Sequence, residues 1–328
     1  MPKPRVFVTR LIPEKGLQMI RAQCEVDLWT ADLPPSRSEL IDHVPGLDGL
    51  LCLLTDPVDG QVMDAAGPSL KVISNHAVGY DNIDIPAATL RRIPVGNTPG
   101  ILTETTADFA FALLLAAARR VVEGERAIQR GLWKTWGPQW LLGSDVHGAS
   151  LGIVGFGRIG QALARRAVGF AMRILFFDPH PPEGWQACGV IAEPVELDTL
   201  LAESDFVSIH TPLNEQTRGL FNTETLACMK PSAVLINTAR GPIIDQEALY
   251  EALKDHTIAA AAIDVTVPEP LPVESPLLML DNLIVTPHIA SASRATREKM
   301  AVMAAENLLA GLRGLQLPYC VNPEVYSK

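Results

Sequence analysis

The chain has 328 residues, of which 48% are hydrophobic and 20% charged, and its formal net charge is −10. That length favours about two domains, the composition supplies a substantial core and excludes a disordered chain, and the negative balance argues against a nucleic-acid surface. Five scattered cysteines with no CxxC or metal-ligand spacing, and no signal-peptide-like or membrane-length apolar run, predict a soluble cytoplasmic protein that binds neither membrane nor metal.

In chain order, Val6–Val8, Gly49–Leu54 and Lys71–Ser74 read as strands, and Glu14–Ala22, Val58–Ala66 and Ile85–Arg91 as helices. This is a small βα unit on a parallel sheet. Leu102 to Arg130 is expected as one buried helix with Thr103 as N-cap, Glu104 in its first turn and Gly131 as its stop. The irregular stretch Gly131–Gly143 holds Trp133, Trp136 and Trp140, three of the five tryptophans. We expect an arm that buries these rings against a second subunit. A second alternating segment has strands at Ser150–Val154, Arg173–Phe177 and Phe206–His210, and Arg294–Arg313 is the last helix, ending at Gly314.

Gly155-Phe-Gly157-Arg-Ile-Gly160 follows the strand at Ser150 and opens a helix. Gly155 permits the tight turn, Gly157 lets backbone approach a pyrophosphate, and Gly160 lets helix and strand pack closely. The helix N-terminus offers free N–H groups and partial positive charge to phosphates. Asp178 ends the next strand, eighteen residues after Gly160, where an acidic side chain accepts from the ribose hydroxyls. A carboxylate there repels a 2′-phosphate, so NAD(H) is expected as the preferred cofactor, with NADP(H) the alternative.

Three later apolar runs each finish on a chemically useful residue: Val234 to Arg240, Ala261 to Asp264 with Glu269 beyond, and Leu283 to His288. As buried parallel strands they bring their carboxyl ends to one sheet edge, where ligands bind. A guanidinium, a carboxylate and an imidazole meeting there can grip an anionic carbonyl compound and move a proton.

The chain resembles the D-2-hydroxyacid dehydrogenase family, most of all its glyoxylate/hydroxypyruvate reductases. The resemblance covers almost the whole length and rests on Ala77-Val-Gly79-Tyr-Asp-Asn82, Thr105-Thr-Ala-Asp108, the glycine turn, Asn237-Thr-Ala-Arg240-Gly, Asp264 with Glu269-Pro270, and Pro287-His288-Ile-Ala-Ser291. It implies two Rossmann-like doubly wound α/β domains: a discontinuous substrate domain of residues 1–99 and 290–328, and an inserted dinucleotide-binding domain of residues 100–289. It also implies a homodimer reached by the Trp133, Trp136 and Trp140 segment.

By the same resemblance, Arg240 would bind the carboxylate and carbonyl oxygen of a short 2-oxo acid. His288 would protonate that oxygen as hydride arrives, and Glu269 would bind the other imidazole nitrogen. A neighbouring carboxylate favours the protonated imidazole, and a guanidinium fork orients a carboxylate in a way lysine cannot. Leu53, the N–H groups of Val78 and Gly79, and Ser291 would complete the substrate site. Thr106, Arg158, Ile159, Thr211, Pro212, Thr217, Thr238 and Ala239 would join the glycines, Arg240, Asp178 and His288 around the cofactor, with Asp264 at the nicotinamide carboxamide. Two departures stand out. Val265-Thr-Val-Pro268 lacks the acidic residues many relatives have before the glutamate, and Asp178-Pro-His180 replaces the Ser/Thr-Arg turn of NADP-dependent glyoxylate reductases. The competing readings are a phosphoglycerate or lactate type of the same family, and a non-enzymatic corepressor that senses NAD(H).

Overall fold

The computed structural model describes residues 2–181, 183–187 and 189–327. The chain divides into two compact units, Met1–Leu102 with Ala292–Lys328, and Thr103–Ser291.

The first unit alternates β1 (Arg5–Val8), α1 (Glu14–Gln23), β2 (Glu25–Leu28), α2 (Arg37–His43), β3 (Gly49–Cys52), α3 (Gly60–Ala66), β4 (Val72–Asn75), α4 (Ile85–Leu90) and β5 (Val95–Gly96). All strands pair in parallel, in the order β2-β1-β3-β4-β5. Three elements of this unit lie outside the expectations, β2, α2 and β5, and none is longer than seven residues. Glu-Val-Asp-Leu alternates polar and apolar residues but over four positions only, and α2 is opened by a Ser36/Glu39 capping box while burying a single residue, Leu40.

The second unit contains α5 (Thr103–Ala118), α6 (Val121–Gln129), β6 (Ser150–Val154), α7 (Arg158–Val168), β7 (Arg173–Phe177), β8 (Glu193–Pro194), α8 (Leu197–Glu203), β9 (Phe206–Ile209), α9 (Thr223–Ala227), β10 (Val234–Asn237), α10 (Gln246–Lys254), β11 (Ala260–Ile263) and β12 (Leu283–Val285). Its strands run β12-β11-β10-β9-β6-β7-β8, all in parallel. The strand order reverses between β6 and β9, the place where doubly wound sheets bind dinucleotides. Both faces are covered. Leu151, Ile153, Phe156 and Phe176 pack with Leu114 and Leu163 on one side, while Val154, Leu175, Ile209 and Leu235 pack with Leu201 and Leu249 on the other. This explains why the strands read as unbroken apolar runs. The last helix, α11 (Arg294–Leu312), belongs to the first unit and packs on β3, β4 and α1.

The single helix expected over Leu102–Arg130 is two helices. Arg120 has φ 52°, and the Ala118 carbonyl accepts from the Ser144 N–H at 2.9 Å, so it is withdrawn from the helical ladder. A chain segment 26 residues away takes that bond (144 − 118), which no local pattern reveals. Thr103, expected as the N-cap, is the first residue of α5.

Candidate active site

The register of three neighbouring strands builds the site. Asn237 of β10 lies opposite Ile263 of β11, and Ile263 lies opposite Val285 of β12. The turns after these residues therefore leave the sheet at one edge and carry Arg240, Asp264 and His288. Asn237 shapes the first turn: its side chain accepts from the Ala239 N–H at 2.9 Å and donates to the Arg240 carbonyl at 2.9 Å. Gly241 lets the next turn come close, because a Cβ there would stand 2.2 Å from the Thr266 carbonyl oxygen. Thr266 in turn donates its N–H to Glu269 Oε1 at 3.0 Å, leaving Oε2 for the His288 Nδ1, also at 3.0 Å.

His288 and Glu269 are half-buried, with side-chain exposures of 24% and 31%. Burial by itself would raise the Glu269 carboxyl. The hydrogen bond and charge of His288, the Thr266 N–H and the nearby Arg240 charge outweigh it, and Glu269 is held below its ordinary range. Glu269 is therefore an anion near neutral pH. With Nδ1 committed to this anion, Nε2 is the imidazole atom left to deliver a proton. The Arg240 guanidinium is oriented by Nη1 donating to the Ala239 carbonyl at 2.8 Å.

The glycine turn sits where β6 meets α7. Gly155 has φ 93°, and a Cβ on it would meet the Thr211 N at 2.6 Å, while one on Gly160 would meet the Gly155 carbonyl oxygen at 2.3 Å. A Cβ on Gly157 would meet nothing within 4 Å, so open space lies before the N-terminus of α7, whose N-cap has no side-chain hydrogen bond. The Thr238 hydroxyl, on a residue only 8% exposed, has no partner. Open space at a helix N-terminus and an unpaired buried hydroxyl both fit a dinucleotide.

Asp178 accepts from the Phe156 N–H at 2.8 Å and the His180 N–H at 2.9 Å. One bond on each oxygen leaves lone pairs for ribose hydroxyls. Thr217 closes its own loop by donating to the Pro212 carbonyl at 2.7 Å, and Thr211 packs its backbone on Gly155. Thr106 is buried in α5, and Arg158 and Ile159 begin α7.

Within the first unit, Leu53 directly follows β3, and Val78 and Gly79 follow β4. The Ala77 carbonyl accepts from the Thr98 N–H at 2.9 Å and the Val78 carbonyl from the Asn97 amide at 2.8 Å. In trans peptides the N–H lies opposite the carbonyl, so these bonds turn the Val78 and Gly79 N–H groups the other way. Ser291 ends the second unit.

Among the described residues there is no cluster of three metal-ligating side chains, and no helix is long and apolar enough to cross a membrane. Cys24, Cys52, Cys228 and Cys320 are free thiols; Cys188 lies outside the described residues.

A profile of the D-isomer specific 2-hydroxyacid dehydrogenase NAD-binding domain matches residues 111–290. The chain belongs to the D-isomer specific 2-hydroxyacid dehydrogenase family. It is 55% identical to a glyoxylate reductase of Korarchaeum cryptofilum over 98% of this chain and 97% of that protein. It is 50% identical to one of Thermofilum pendens, over 99% and 96%. A solved Thermus thermophilus protein superposes with a TM-score of 0.90 at 48% identity, covering 97% of this chain and 99% of that one. An NADPH-dependent glyoxylate/hydroxypyruvate reductase of Sinorhizobium meliloti, solved with NADP and malonate, gives 0.85 at 31% identity, with 99% of each chain covered.

Membership in this dehydrogenase family agrees with the two parallel α/β units. Four residues that shape its site had no role assigned to them from sequence: Asn237, Gly241, Thr266, and Thr286, whose hydroxyl donates to Asp264 Oδ1 at 2.7 Å. Asn237 and Gly241 had a signal in turn chemistry, since Asn folds onto nearby backbone and Gly allows close approach. Thr266 and Thr286 had none beyond their place after a strand.

Proposed function

We propose that this dehydrogenase reduces short 2-oxo acids, glyoxylate first and hydroxypyruvate second, using a nicotinamide dinucleotide. The observation that carries this reading is the Glu269–His288 hydrogen bond held beside Arg240 on the sheet edge that also bears the glycine turn. When bound, the cofactor supplies hydride to the carbonyl carbon. Arg240 grips the carboxylate and carbonyl oxygen, and the Val78 and Gly79 N–H groups, with Leu53 and Ser291, are assigned to the same substrate. Oxygen gains negative charge as hydride arrives, and His288 Nε2 donates the proton that quenches it. Glu269 holds the imidazole in orientation and balances its charge.

In this reading residues 1–99 and 290–328 serve the substrate and residues 100–289 the cofactor. Asp178, with the glycines, Thr106, Arg158, Ile159, Thr211, Pro212, Thr217, Thr238 and Ala239, favours NAD(H), because a carboxylate there opposes a 2′-phosphate. Exposed Trp133, Trp136 and Trp140 support a homodimer formed through that segment. The free thiols are in keeping with a reducing, cytoplasmic setting.

The test is a panel of glyoxylate, hydroxypyruvate and pyruvate with NADH and NADPH. Steady NADH oxidation, fastest with glyoxylate, is the expected result. Tight NADH binding without turnover of any of them would favour the sensing corepressor instead.

A further inference from the structure

The chain around His288 is held in an unusual shape. His288 has φ 54°, a left-handed backbone that is unfavourable for a residue other than glycine. Such strain persists only where the surroundings over-determine it. Here the surroundings converge on Asp264, which is 1% exposed.

Asp264 Oδ1 accepts from the Thr286 hydroxyl at 2.7 Å and from the Ile289 N–H at 2.9 Å; Oδ2 accepts from the Ala290 N–H at 2.7 Å. The Asp264 carbonyl also accepts from the His288 N–H at 2.9 Å. One aspartate therefore holds the chain on both sides of the histidine and at the histidine itself. Three donors therefore meet the two oxygens of this buried carboxylate. The resemblance to the family assigns Asp264 to the nicotinamide carboxamide. The bonds present here serve the histidine turn.

We propose that Asp264 and Thr286 are positioning residues for proton delivery: their hydrogen bonds impose the left-handed turn that aims His288 at Glu269. The Thr286 hydroxyl locks Oδ1 from the strand side, so the turn cannot swing about the Asp264 side chain. This inference rests on the proposed role of His288 as acid.

The experiment compares Thr286→Val, Thr286→Ser and Asp264→Asn in the full chain, using whichever 2-oxo acid the unaltered protein turns over best. Thr286→Val removes the hydroxyl and keeps the shape. It should lower kcat by about 10- to 100-fold, the scale of a small misplacement of a reacting group. The KM for NADH and the NADH Kd, read by fluorescence, should stay within about two-fold, since uniform binding is untouched. Thr286→Ser should restore kcat. Asp264→Asn places an amide N–H₂ against backbone donors and should lower kcat at least as much as Thr286→Val; its NADH binding is not used, since Asp264 is also assigned to the nicotinamide carboxamide, and if it fails to fold, the Thr286 pair still decides. An unchanged kcat in Thr286→Val, or a loss in that variant expressed in NADH binding, would overturn the proposal, and the second outcome would mean that the Asp264–Thr286 pair serves the cofactor and not the histidine turn. No turnover by the unaltered protein with any 2-oxo acid would count against the proposed function. An NADH-binding loss in Thr286→Val would count against this inference alone.

Discussion

His288 Nδ1 and Glu269 Oε2 stand 3.0 Å apart although 19 residues separate them in sequence. The bond commits one imidazole nitrogen and leaves the other for chemistry. His288→Ala should therefore slow turnover by about 10²- to 10⁴-fold, the usual contribution of a positioned acid. Glu269→Gln keeps a hydrogen-bond acceptor and loses the charge, so its loss should be smaller. Steady-state kcat measures both, and a near-normal value for His288→Ala would remove it from the mechanism.

Gly241 tests the coupling between the Arg240 turn and the glutamate. Gly241→Ala forces a methyl onto the Thr266 carbonyl, where the gap is 2.2 Å. Thr266 must shift, and with it the N–H that anchors Glu269 Oε1. Overpacking of this kind costs about 1–3 kcal/mol, so Tm and kcat should fall together. A variant with Tm and kcat of the parent would show that the two turns do not depend on each other.

Asp178→Ala should erode discrimination against NADPH, because in the proposed function its carboxylate opposes a 2′-phosphate. The measurement is the ratio of kcat/KM for NADH and NADPH. If that ratio does not move, cofactor choice lies elsewhere. Some loss of stability should accompany the change, since Asp178 also holds the Phe156 N–H.

Two buried histidines predict how stability follows pH. Burial, joined for His76 by the charge of Arg297, lowers both His76 and His210 from about 6.5 to about 4. The unfolded chain then binds more protons than the folded one between these values. Stability is intact above about 6.5 and is lost as pH falls towards 4, by on the order of 3 kcal/mol per histidine across the full span. Chemical denaturation at pH 7.5 and pH 5 should show this loss, and His76→Gln or His210→Gln should each flatten it. Equal pH slopes in parent and variants would refute the assignment.

Trp133 and Trp136 are 58% and 79% exposed, an unusual state for such large rings in a lone protomer. With the proposed dimer held by this arm, replacing Trp133 and Trp136 by Ser should shift sedimentation towards monomer. A parent chain that sediments as a monomer at micromolar concentration would dismiss the arm as an interface.

Much of this molecule is legible in its sequence because buried parallel strands leave a plain mark. Ser150–Val154 and Arg173–Phe177 are apolar runs with covered faces, and the structure has β6 and β7 over those residues. The glycine turn is readable for a different reason: Gly155 and Gly160 answer backbone approaches that no side chain would survive. The break at Arg120 is not readable, because it depends on Ser144 capturing a carbonyl from a distant segment. α2 and β2 escape because seven and four residues are too few for a periodic pattern to stand out.

By itself, the sequence determined the parallel α/β character, the glycine turn with its aspartate at the end of the next strand, and the chemical types needed for carbonyl reduction. Those follow from hydrophobic periodicity and residue chemistry, which are local. The tertiary structure decided how these groups are aimed: Asn237, Gly241 and Thr266 seat Arg240 and Glu269, and Asp264 with Thr286 bends the chain at His288. Hydrogen bonds between separate turns set these directions, and their geometry depends on strand register, which exists only once the sheet has formed.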